Sequence, residues 1–166
     1  MAEPTVTIRN ETPADRGGIR ALVLAAFGGA QEADLVDRLR ADGDGEISLV
    51  AVDGEQVVGH VLLSPMTAPF RALGLAPVSV LPDRQGTGIG TRLIHAGLER
   101  AALGGWQGVF VLGEPAYYRR FGFDPALASG FASPYAGPYL MALALGGSLP
   151  ATAGRVDYAP AFQALS

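Results

Sequence analysis

Hydrophobic residues alternate with polar ones, or recur at helical spacing, along most of the chain, and this pattern predicts its elements. Residues 5–9 alternate and predict a first strand. A helix start follows, in which Thr12 can cap, Pro13 fits the first helical position, and Asp15 stands three positions after the cap. The helix then carries apolar residues at helical spacing until a glycine pair ends it: Ile19, Leu22, Val23 and Phe27, then Gly28 and Gly29.

The rest of the chain alternates between strands and helices. A second helix is predicted at 31–40, and strands at 47–52 and 56–63 flank Asp53-Gly54, a strong hairpin signal. Further on, the pattern predicts a strand at 73–81, a helix at 88–102, a buried strand at 108–112, a short helix at 115–120, a strand at 139–145, and an edge strand or docked tail at 154–158. The order β-α-α-β-β-β-α-β-α-β predicts an α/β domain with a mixed sheet covered by helices.

Composition narrows the class of protein. With 166 residues, 49% of them hydrophobic and 17% charged, the chain suits one folded domain and excludes a disordered one. The net charge of −4 disfavours nucleic acid as a main partner. No cysteine is present, which removes disulfides and cysteine nucleophiles, and two histidines do not argue for a metal. The sequence contains no run of about 18 apolar residues and no signal-peptide pattern, so a cytoplasmic location without a membrane partner is expected.

The most informative segment is a glycine-rich turn between the predicted strand 73–81 and the helix that follows. Gly86, Gly88 and Gly90 let the backbone approach a ligand closely, and the first turn of a helix offers unpaired N–H groups and a favourable dipole. This combination suits a pyrophosphate. A dinucleotide fingerprint would need glycine where Thr91 or Leu93 stands, and a P-loop needs lysine, which the chain lacks because all 12 basic residues are arginine. A purely structural glycine turn before a core helix is the alternative.

The pattern Gln85-x-x-Gly88-x-Gly90, after a strand that ends Val-x-Pro, resembles the coenzyme A motif of the GCN5-related N-acetyltransferases, the GNAT superfamily. The resemblance implies a single GNAT-type domain with a mostly antiparallel central sheet, whose central strands diverge after Val80. It also implies that acetyl-CoA or CoA is bound at two sets of residues. The amides of Gly86, Thr87, Gly88, Ile89, Gly90 and Thr91 would hold the pyrophosphate, with Gln85 as the first cofactor-binding residue of the motif, and Val78, Ser79 and Val80 would pair with the pantetheine arm. Pro77 departs from the pattern because it has no N–H.

A second motif follows at 111–123, Val-Leu-Gly-Glu-Pro-Ala-Tyr-Tyr-Arg-Arg-Phe-Gly-Phe, and it resembles the YhbS-like branch of the same superfamily. The resemblance implies that Tyr118, four residues before Gly122, protonates the departing CoA thiolate as general acid. A phenol with a pKa near 10 is protonated at neutral pH and can meet such a thiolate. Tyr117 is the competing candidate, and the alternative for both residues is a half-buried aromatic pair.

No motif fixes the base that amine acetylation needs. His60, which shares a strand face with Val58 and Leu62, is one candidate for a base or acceptor-site residue, and Glu32 at the start of the second helix is the other. A satisfied core histidine and a favourable charge at a helix start are the alternatives. His95 and Glu114 are expected to be structural. Residues 134–139 would either line the acceptor pocket or form a packed surface loop.

Together these features predict an enzyme that moves an acetyl group from acetyl-CoA to a small-molecule or peptide amine by direct attack, without a covalent intermediate or a metal. Backbone N–H groups near Val80 could polarise the thioester carbonyl. The GNAT domain would span 5–146, with 147–166 as a C-terminal extension packed on it, and a homodimer is a common default. The alternatives are a non-catalytic acyl-CoA-binding or regulatory module on the same fold, and an enzyme that uses a different phosphate-bearing cofactor.

Overall fold

The computed structural model describes residues 6–164 and consists of a sheet flanked by helices. The strands are β1 (Val6–Asn10), β2 (Ile47–Asp53), β3 (Gln56–Pro65), β4 (Ala72–Val80), β5 (Gly108–Leu112), β6 (Phe131–Ala132), β7 (Leu140–Ala144) and β8 (Gly154–Arg155). The α-helices are α1 (Arg16–Phe27), α2 (Gln31–Ala41), α3 (Ile89–Leu103), α4 (Pro115–Tyr118) and α5 (Pro125–Ala128). Short 3₁₀ turns cover Pro13–Asp15, Pro82–Arg84, Arg119–Phe121 and Pro160–Ala164.

Six strands form the main sheet in the order β1-β2-β3-β4-β5-β7. Every neighbouring pair is antiparallel except β4 and β5, which are parallel because α3 carries the chain across between them. The sequence-based prediction of a mixed, mostly antiparallel sheet flanked by helices is confirmed. The predicted hairpin at Asp53-Gly54 joins β2 to β3, with Gly54 at a φ of 62°.

The two parallel strands part early, and this gap is called the fork below. Only residues 72–74 of β4 pair with β5, although β4 continues to Val80. The expectation that the central strands diverge after Val80 is therefore wrong: pairing with β5 ends at Gly74. Beyond that residue β4 follows β3, to which it stays paired through Val80, while β5 follows β7. An irregularity opposite Val61 to Leu63 gives β4 an extra residue at this point.

The helices cover the sheet on opposite faces. On one face α3 packs through Ile89, Leu93, Gly97 and Ala101, the stripe predicted from helical spacing, and all four are buried. Gly59 of β3 permits this approach, because a Cβ there would lie 2.9 Å from both Ile89 and Leu93. On the other face α1 packs on β2 with Ile19 and Val23, and α2 packs through Leu35 and Leu39 next to Leu62.

The start of the first helix follows the predicted signal. The Asp15 carboxylate accepts hydrogen bonds from the Thr12 backbone N–H at 2.7 Å and from the Thr12 hydroxyl at 3.0 Å. Arg9 clamps the same carboxylate with two donors, so burial of Asp15 leaves its charge paired. The helix ends at Gly28, which adopts the left-handed conformation, as the glycine pair predicts.

The C-terminal part contains structure that the sequence pattern missed. Asp124 caps the start of α5, where its side chain accepts from the N–H of Ala126, and the short β6 pairs with β8 in a separate parallel ribbon. Residues 154–158 were predicted as an edge strand or a docked tail; only two of them form a strand, outside the main sheet. The following residues dock Val156 and Phe162 into the core. Within residues 6–164, no helix is long and apolar enough to cross a membrane.

Candidate active site

The glycine-rich turn leads directly from β4 into α3. Gly86 and Gly88 have φ values of 78° and 88°, in the left-handed region where a side chain would be strained. The first helical bond of α3 runs from the N–H of Arg92 to the carbonyl of Gly88. The N–H groups of Ile89, Gly90 and Thr91 therefore have no acceptor within the helix, and they form an anion-binding end at the mouth of the turn.

Side chains of the turn hold its shape. The Gln85 amide nitrogen donates to the carbonyl of Val80 at 3.1 Å, and the Thr87 hydroxyl donates to the carbonyl of Arg84. Arg84 is also paired with Asp53 at 2.8 Å, which ties the turn to the hairpin between β2 and β3. The side chains of Gln85 and Thr87, both predicted to bind cofactor, thus hold the turn in shape through bonds to backbone carbonyls.

A cavity of about 340 Å³ lies at this end of α3. It is lined by seven residues of the predicted cofactor set (Val80, Gln85, Gly86, Gly88, Ile89, Gly90 and Thr91) and by Arg84, Tyr117 and Arg120. Val78, Ser79 and Thr87 are not among the lining residues. Arg120 was not predicted, and its guanidinium lies 4.4 Å from the centre of the Tyr117 ring. Arg120 thus adds positive charge where a diphosphate would sit, whereas Asp53 offsets the charge of Arg84, which adds N–H donors.

The backbone of β4 offers free hydrogen-bonding groups beyond the fork. The N–H of Leu81 donates to the carbonyl of Val58 at 3.0 Å, and bonding alternates along an antiparallel pair. Ser79 therefore bonds toward β3, while the backbone groups of Val78 and Val80 point into the gap left by β5. The Val80 carbonyl accepts from Gln85, so Val80 offers only its N–H in the gap, next to the backbone groups of Val78. The Ser79 side chain is buried on the sheet face opposite α3.

The two adjacent tyrosines take different places, as their helical spacing predicts. The Tyr117 hydroxyl lies 3.3 Å from the Thr91 hydroxyl and lines the cavity. The Tyr118 ring instead packs over Gly113, where any Cβ would overlap it, and against Phe121 and Phe123. The ring planes of the two tyrosines are 85° apart. Burial raises the pKa of Tyr118, with a smaller effect from Tyr117, so this phenol stays protonated at neutral pH.

His60 is fully buried in a polar network on the face opposite α3. It shares that face with Leu62 but not with Val58, which packs in the cluster under α3; this part of the prediction is wrong. The reason is a bulge where β3 pairs with Ala51 and Val52, which reverses the alternation of faces. His60 Nε2 lies 2.8 Å from the Ser48 hydroxyl and 3.7 Å from Glu11.

The network fixes the tautomer of His60. The Glu11 carboxylate accepts two hydrogen bonds from Arg40, at 2.8 and 2.9 Å, and one from the Ser48 hydroxyl at 2.5 Å. The Ser48 hydroxyl donates its only hydrogen to Glu11. The Ser48 oxygen must therefore accept a hydrogen bond from His60, which places the histidine proton on Nε2. Nδ1 is left with a free lone pair, buried and without a partner among residues 6–164.

The pKa values of His60 and Glu11 are both lowered, for different reasons. Burial lowers the pKa of His60, and its contact with Glu11 offsets this only in part. Burial alone would raise the pKa of Glu11, but hydrogen bonds from His60, Arg40 and Ser48 outweigh it and hold that pKa well below its usual range. At neutral pH His60 is therefore neutral and Glu11 is ionised.

The remaining candidates lie elsewhere. Glu32 is half-buried in the first turn of α2 and does not line the cavity at α3. His95 is exposed, with its ring in an edge contact with that of Phe121, and Glu114 stands just before α4; neither lines the cavity at α3. The loop at 134–139 contributes Tyr135, whose ring centre is 5.7 Å from that of Tyr158. Within the described part of the chain, no group of three or more His, Cys, Asp or Glu side chains is arranged to hold a metal.

Comparison with known proteins decides the family. Residues 44–125 match the family model of the acetyltransferase (GNAT) domain. An uncharacterized N-acetyltransferase of Escherichia coli K12, YjhQ, is 41% identical over 130 residues, which cover 73% of this chain and 71% of that protein. YhbS of the same strain, also an uncharacterized N-acetyltransferase, is 42% identical over 123 residues, which cover 72% of this chain and 74% of that protein. The chain belongs to the GNAT acetyltransferase family.

Solved structures agree with this GNAT assignment over nearly the whole chain. The YhbS structure from Escherichia coli, in complex with CoA, matches with a TM-score of 0.90 at 33% identity and covers 100% of this chain and 97% of its own. A GNAT acetyltransferase from Brucella melitensis, in complex with acetyl-CoA, matches with a TM-score of 0.82 at 39% identity. The match covers 96% of this chain and 99% of the Brucella melitensis chain. The predicted family, its YhbS-like branch and the enzyme class are confirmed.

The buried network predicts how the stability of this GNAT domain depends on pH. Below about pH 6.5 the unfolded chain protonates its histidines while folded His60 stays neutral, so the unfolded state binds more protons. The free energy of unfolding should therefore decrease as the pH is lowered, with a slope that approaches about 1.4 kcal/mol per pH unit. Glu11 adds a second loss below about pH 4.5, because its folded pKa is lowered. Urea unfolding measures the His60 slope between pH 8 and pH 5, and the start of the Glu11 loss when the series is extended to pH 3.

His60→Gln should remove the slope between about pH 6.5 and 5 and leave the part of the Glu11 loss that the hydrogen bonds from Arg40 and Ser48 cause. The chain offers a matched control, because its other histidine, His95, is exposed. His95→Gln should leave the slope in place. A slope that disappears in the His95 variant and persists in the His60 variant would show that His60 is not the neutral buried group.

Proposed function

We propose that this protein transfers an acetyl group from acetyl-CoA to a primary amine by direct attack of the amine on the thioester. The observation that carries the proposal is that an anion-binding cavity and an open strand edge lie next to each other. A cavity with free helix amides and two arginines, suited to a diphosphate, opens beside a strand edge with free backbone groups at the fork. CoA joins a diphosphate to an amide-bearing arm that ends in the reacting thioester, and it fits that sequence of features.

Each part of CoA has a counterpart in this arrangement. The diphosphate would accept hydrogen bonds from the amides between Gly86 and Thr91 and from Arg84 and Arg120. The pantetheine amides would pair with Val78 and Val80, as an added strand pairs with a sheet edge. The bound CoA in the YhbS structure and the bound acetyl-CoA in the Brucella melitensis structure support this assignment.

Cofactor binding is tested by thermal unfolding with acetyl-CoA, CoA, ATP and NAD at matched concentrations. A ligand at about 100 times its Kd that binds only the folded state adds about 2.7 kcal/mol, so acetyl-CoA and CoA should raise the midpoint by several degrees. ATP and NAD should not. Arg120→Ala should weaken CoA binding about tenfold through the lost charged hydrogen bond. The neighbouring Arg119→Ala is the control, because Arg119 does not line the cavity.

No midpoint shift with acetyl-CoA or CoA would contradict the proposed function as a whole. A shift of equal size with ATP would indicate a different phosphate-bearing cofactor. Equal effects of the two arginine substitutions would mean that general surface charge, and not the cavity, governs affinity.

Two proton transfers and one exchange of bonds complete the reaction. The amine nitrogen forms a bond to the carbonyl carbon, the carbon–sulfur bond breaks, one amine proton passes to a base, and the thiolate takes a proton. The Val80 N–H in the gap would stabilise the oxyanion, as preorganised donors do. We assign the thiolate's proton to Tyr118, because it is protonated at neutral pH and packs beside the fork, while the Tyr117 hydroxyl already contacts Thr91.

Tyr118→Phe removes only the hydroxyl and should lower kcat by about 100-fold, a usual size for a general acid, while acetyl-CoA affinity changes less than about twofold. The assay is thiol release from acetyl-CoA with a panel of primary amines, beside calorimetric titration of CoA. Tyr117→Phe is the comparison and should affect CoA affinity more than turnover. Equal loss of turnover and affinity in Tyr118→Phe would contradict the acid role, and wild-type binding without turnover would favour a non-catalytic acyl-CoA-binding module.

For the base we propose His60 rather than Glu32. His60 is neutral at physiological pH, its Nδ1 lone pair is unpartnered among residues 6–164, and it pairs across the strands with Ser79 in the part of β4 beyond the fork. Glu32 is at the start of α2, where an acidic residue favours the helix dipole whatever its chemistry.

If His60 is the base, His60→Gln should lower turnover at least tenfold at pH 7 and recover toward wild type as the pH approaches the pKa of the amine, near 10. At that pH the acceptor is already deprotonated and needs no base. The pH–rate profile of Glu32→Gln serves as the comparison and should follow that of the wild type. The opposite result for the two variants would assign the base to Glu32.

A further inference from the structure

Tyr158, which the sequence pattern did not single out, lies at the base of the fork. Its ring packs on Gly74, where a Cβ would be 2.5 Å from the ring carbon Cε1. Gly74 is the last residue of β4 that pairs with β5, so Tyr158 covers the point at which the two strands part. The absence of a side chain at position 74 is what allows the ring to reach this point.

The backbone and the ring hold Tyr158 in place without help from its hydroxyl. The preceding Asp157 exchanges two backbone hydrogen bonds with Thr67, both of 2.9 Å. The Tyr158 ring contacts Phe162, with ring centres 5.2 Å apart, and Tyr135 at 5.7 Å. Packing alone would therefore be served as well by phenylalanine.

The hydroxyl of Tyr158 is buried and has no hydrogen-bond partner among the described residues. Burial raises its pKa strongly, with smaller effects from Tyr135 and Tyr118, so the phenol is neutral. A buried hydroxyl without a partner costs free energy, and proteins keep few of them. A ligand that enters the fork would supply the missing partner.

Other unpartnered polar atoms lie on the same side of the sheet. In the described residues, four buried side-chain polar atoms lack a partner: His60 Nδ1, Ser64 Oγ, Ser79 Oγ and Tyr158 OH. His60 pairs with Ser79 across β3 and β4, and Ser64 pairs with Gly74 under the Tyr158 ring. The row runs along the face opposite α3, whereas Tyr118 packs in the cluster on the α3 face. The fork thus has one tyrosine on each face.

We propose that Tyr158 positions the acceptor: its phenol oxygen accepts a hydrogen bond from the N–H of an uncharged primary amine bound on the face of the fork opposite CoA. This inference rests on the function proposed above. The contact leaves the nitrogen lone pair free to point at the thioester carbon, and it forms or breaks no covalent bond. The uncharged form fits the site because Glu11, the carboxylate of the adjoining network, is already engaged by Arg40.

Tyr158→Phe tests the proposal, with Tyr139→Phe as a matched control, because Tyr139 is 56% exposed. The probes are acetyl-CoA and a series of primary amines from methylamine to 2-phenylethylamine, assayed by thiol release. The KM of the best amine should rise about tenfold or more in Tyr158→Phe, the loss expected for one hydrogen bond to a buried site. Acetyl-CoA affinity and the slow hydrolysis without amine should stay within about twofold of wild type. The unfolding midpoint without ligand should rise, since an unpaired buried hydroxyl is removed.

An unchanged amine KM would overturn the proposal and mean that a trapped water satisfies the hydroxyl. A parallel loss of acetyl-CoA affinity would overturn it in another way, by placing the contact on the cofactor. A lowered midpoint would also overturn it, because the hydroxyl would then be structural. Failure of the proposed function would give a different result, because the wild-type protein itself would release no thiol with any amine. If only this inference fails, the wild type is active and Tyr158→Phe has the same amine KM.

Discussion

The separation of β4 from β5 after Gly74 is the constraint on which the rest of the site depends. Parallel neighbours in a sheet satisfy each other's backbone groups, and a strand that loses its neighbour in the interior leaves N–H and C=O groups unpaired. β4 keeps its other neighbour, β3, through Val80, so it stays extended and rigid while one edge is open. An open edge in the middle of a sheet can bind an extended ligand with the geometry of a missing strand.

The same separation orders everything placed around the gap. Where β4 ends, the turn at Gly86 and Gly88 brings the amides of α3 to the upper end of the open edge. At its lower end, Gly74 admits the ring of Tyr158, and Gly113 after β5 admits that of Tyr118. A glycine at these positions has no side chain to pack, but it lets an aromatic ring lie directly on the backbone. The two tyrosines can therefore face one opening from opposite sides of the sheet.

The sequence predicts local features well and relations between distant segments poorly. Capping at Thr12 and Asp15, the hairpin turn at Gly54, and the spacing of Gly86, Gly88 and Gly90 each depend on a few neighbouring residues, and these predictions agree with the fold. The point where β4 leaves β5 and the face taken by His60 depend on bulges in strand pairing. A bulge shifts the register by one residue and leaves no mark in the hydrophobic pattern. Arg120 and Tyr158 were missed for a related reason, since each reaches the site through tertiary packing.

Buried polar atoms without partners show where this fold gives up stability. Each such atom loses its hydrogen bonds to water and gains none in the protein, a cost of about 1–3 kcal/mol. Domains of this size are stable by only about 5–15 kcal/mol, so four of them along one sheet face would be a heavy burden if they had no use. Chance would also scatter them through the core, yet Ser79 lies on β4, Tyr158 packs on it, and His60 and Ser64 pair with it from β3, so all four are grouped along the strand that borders the opening. Their grouping along this strand argues that the fork is built to bind polar ligands.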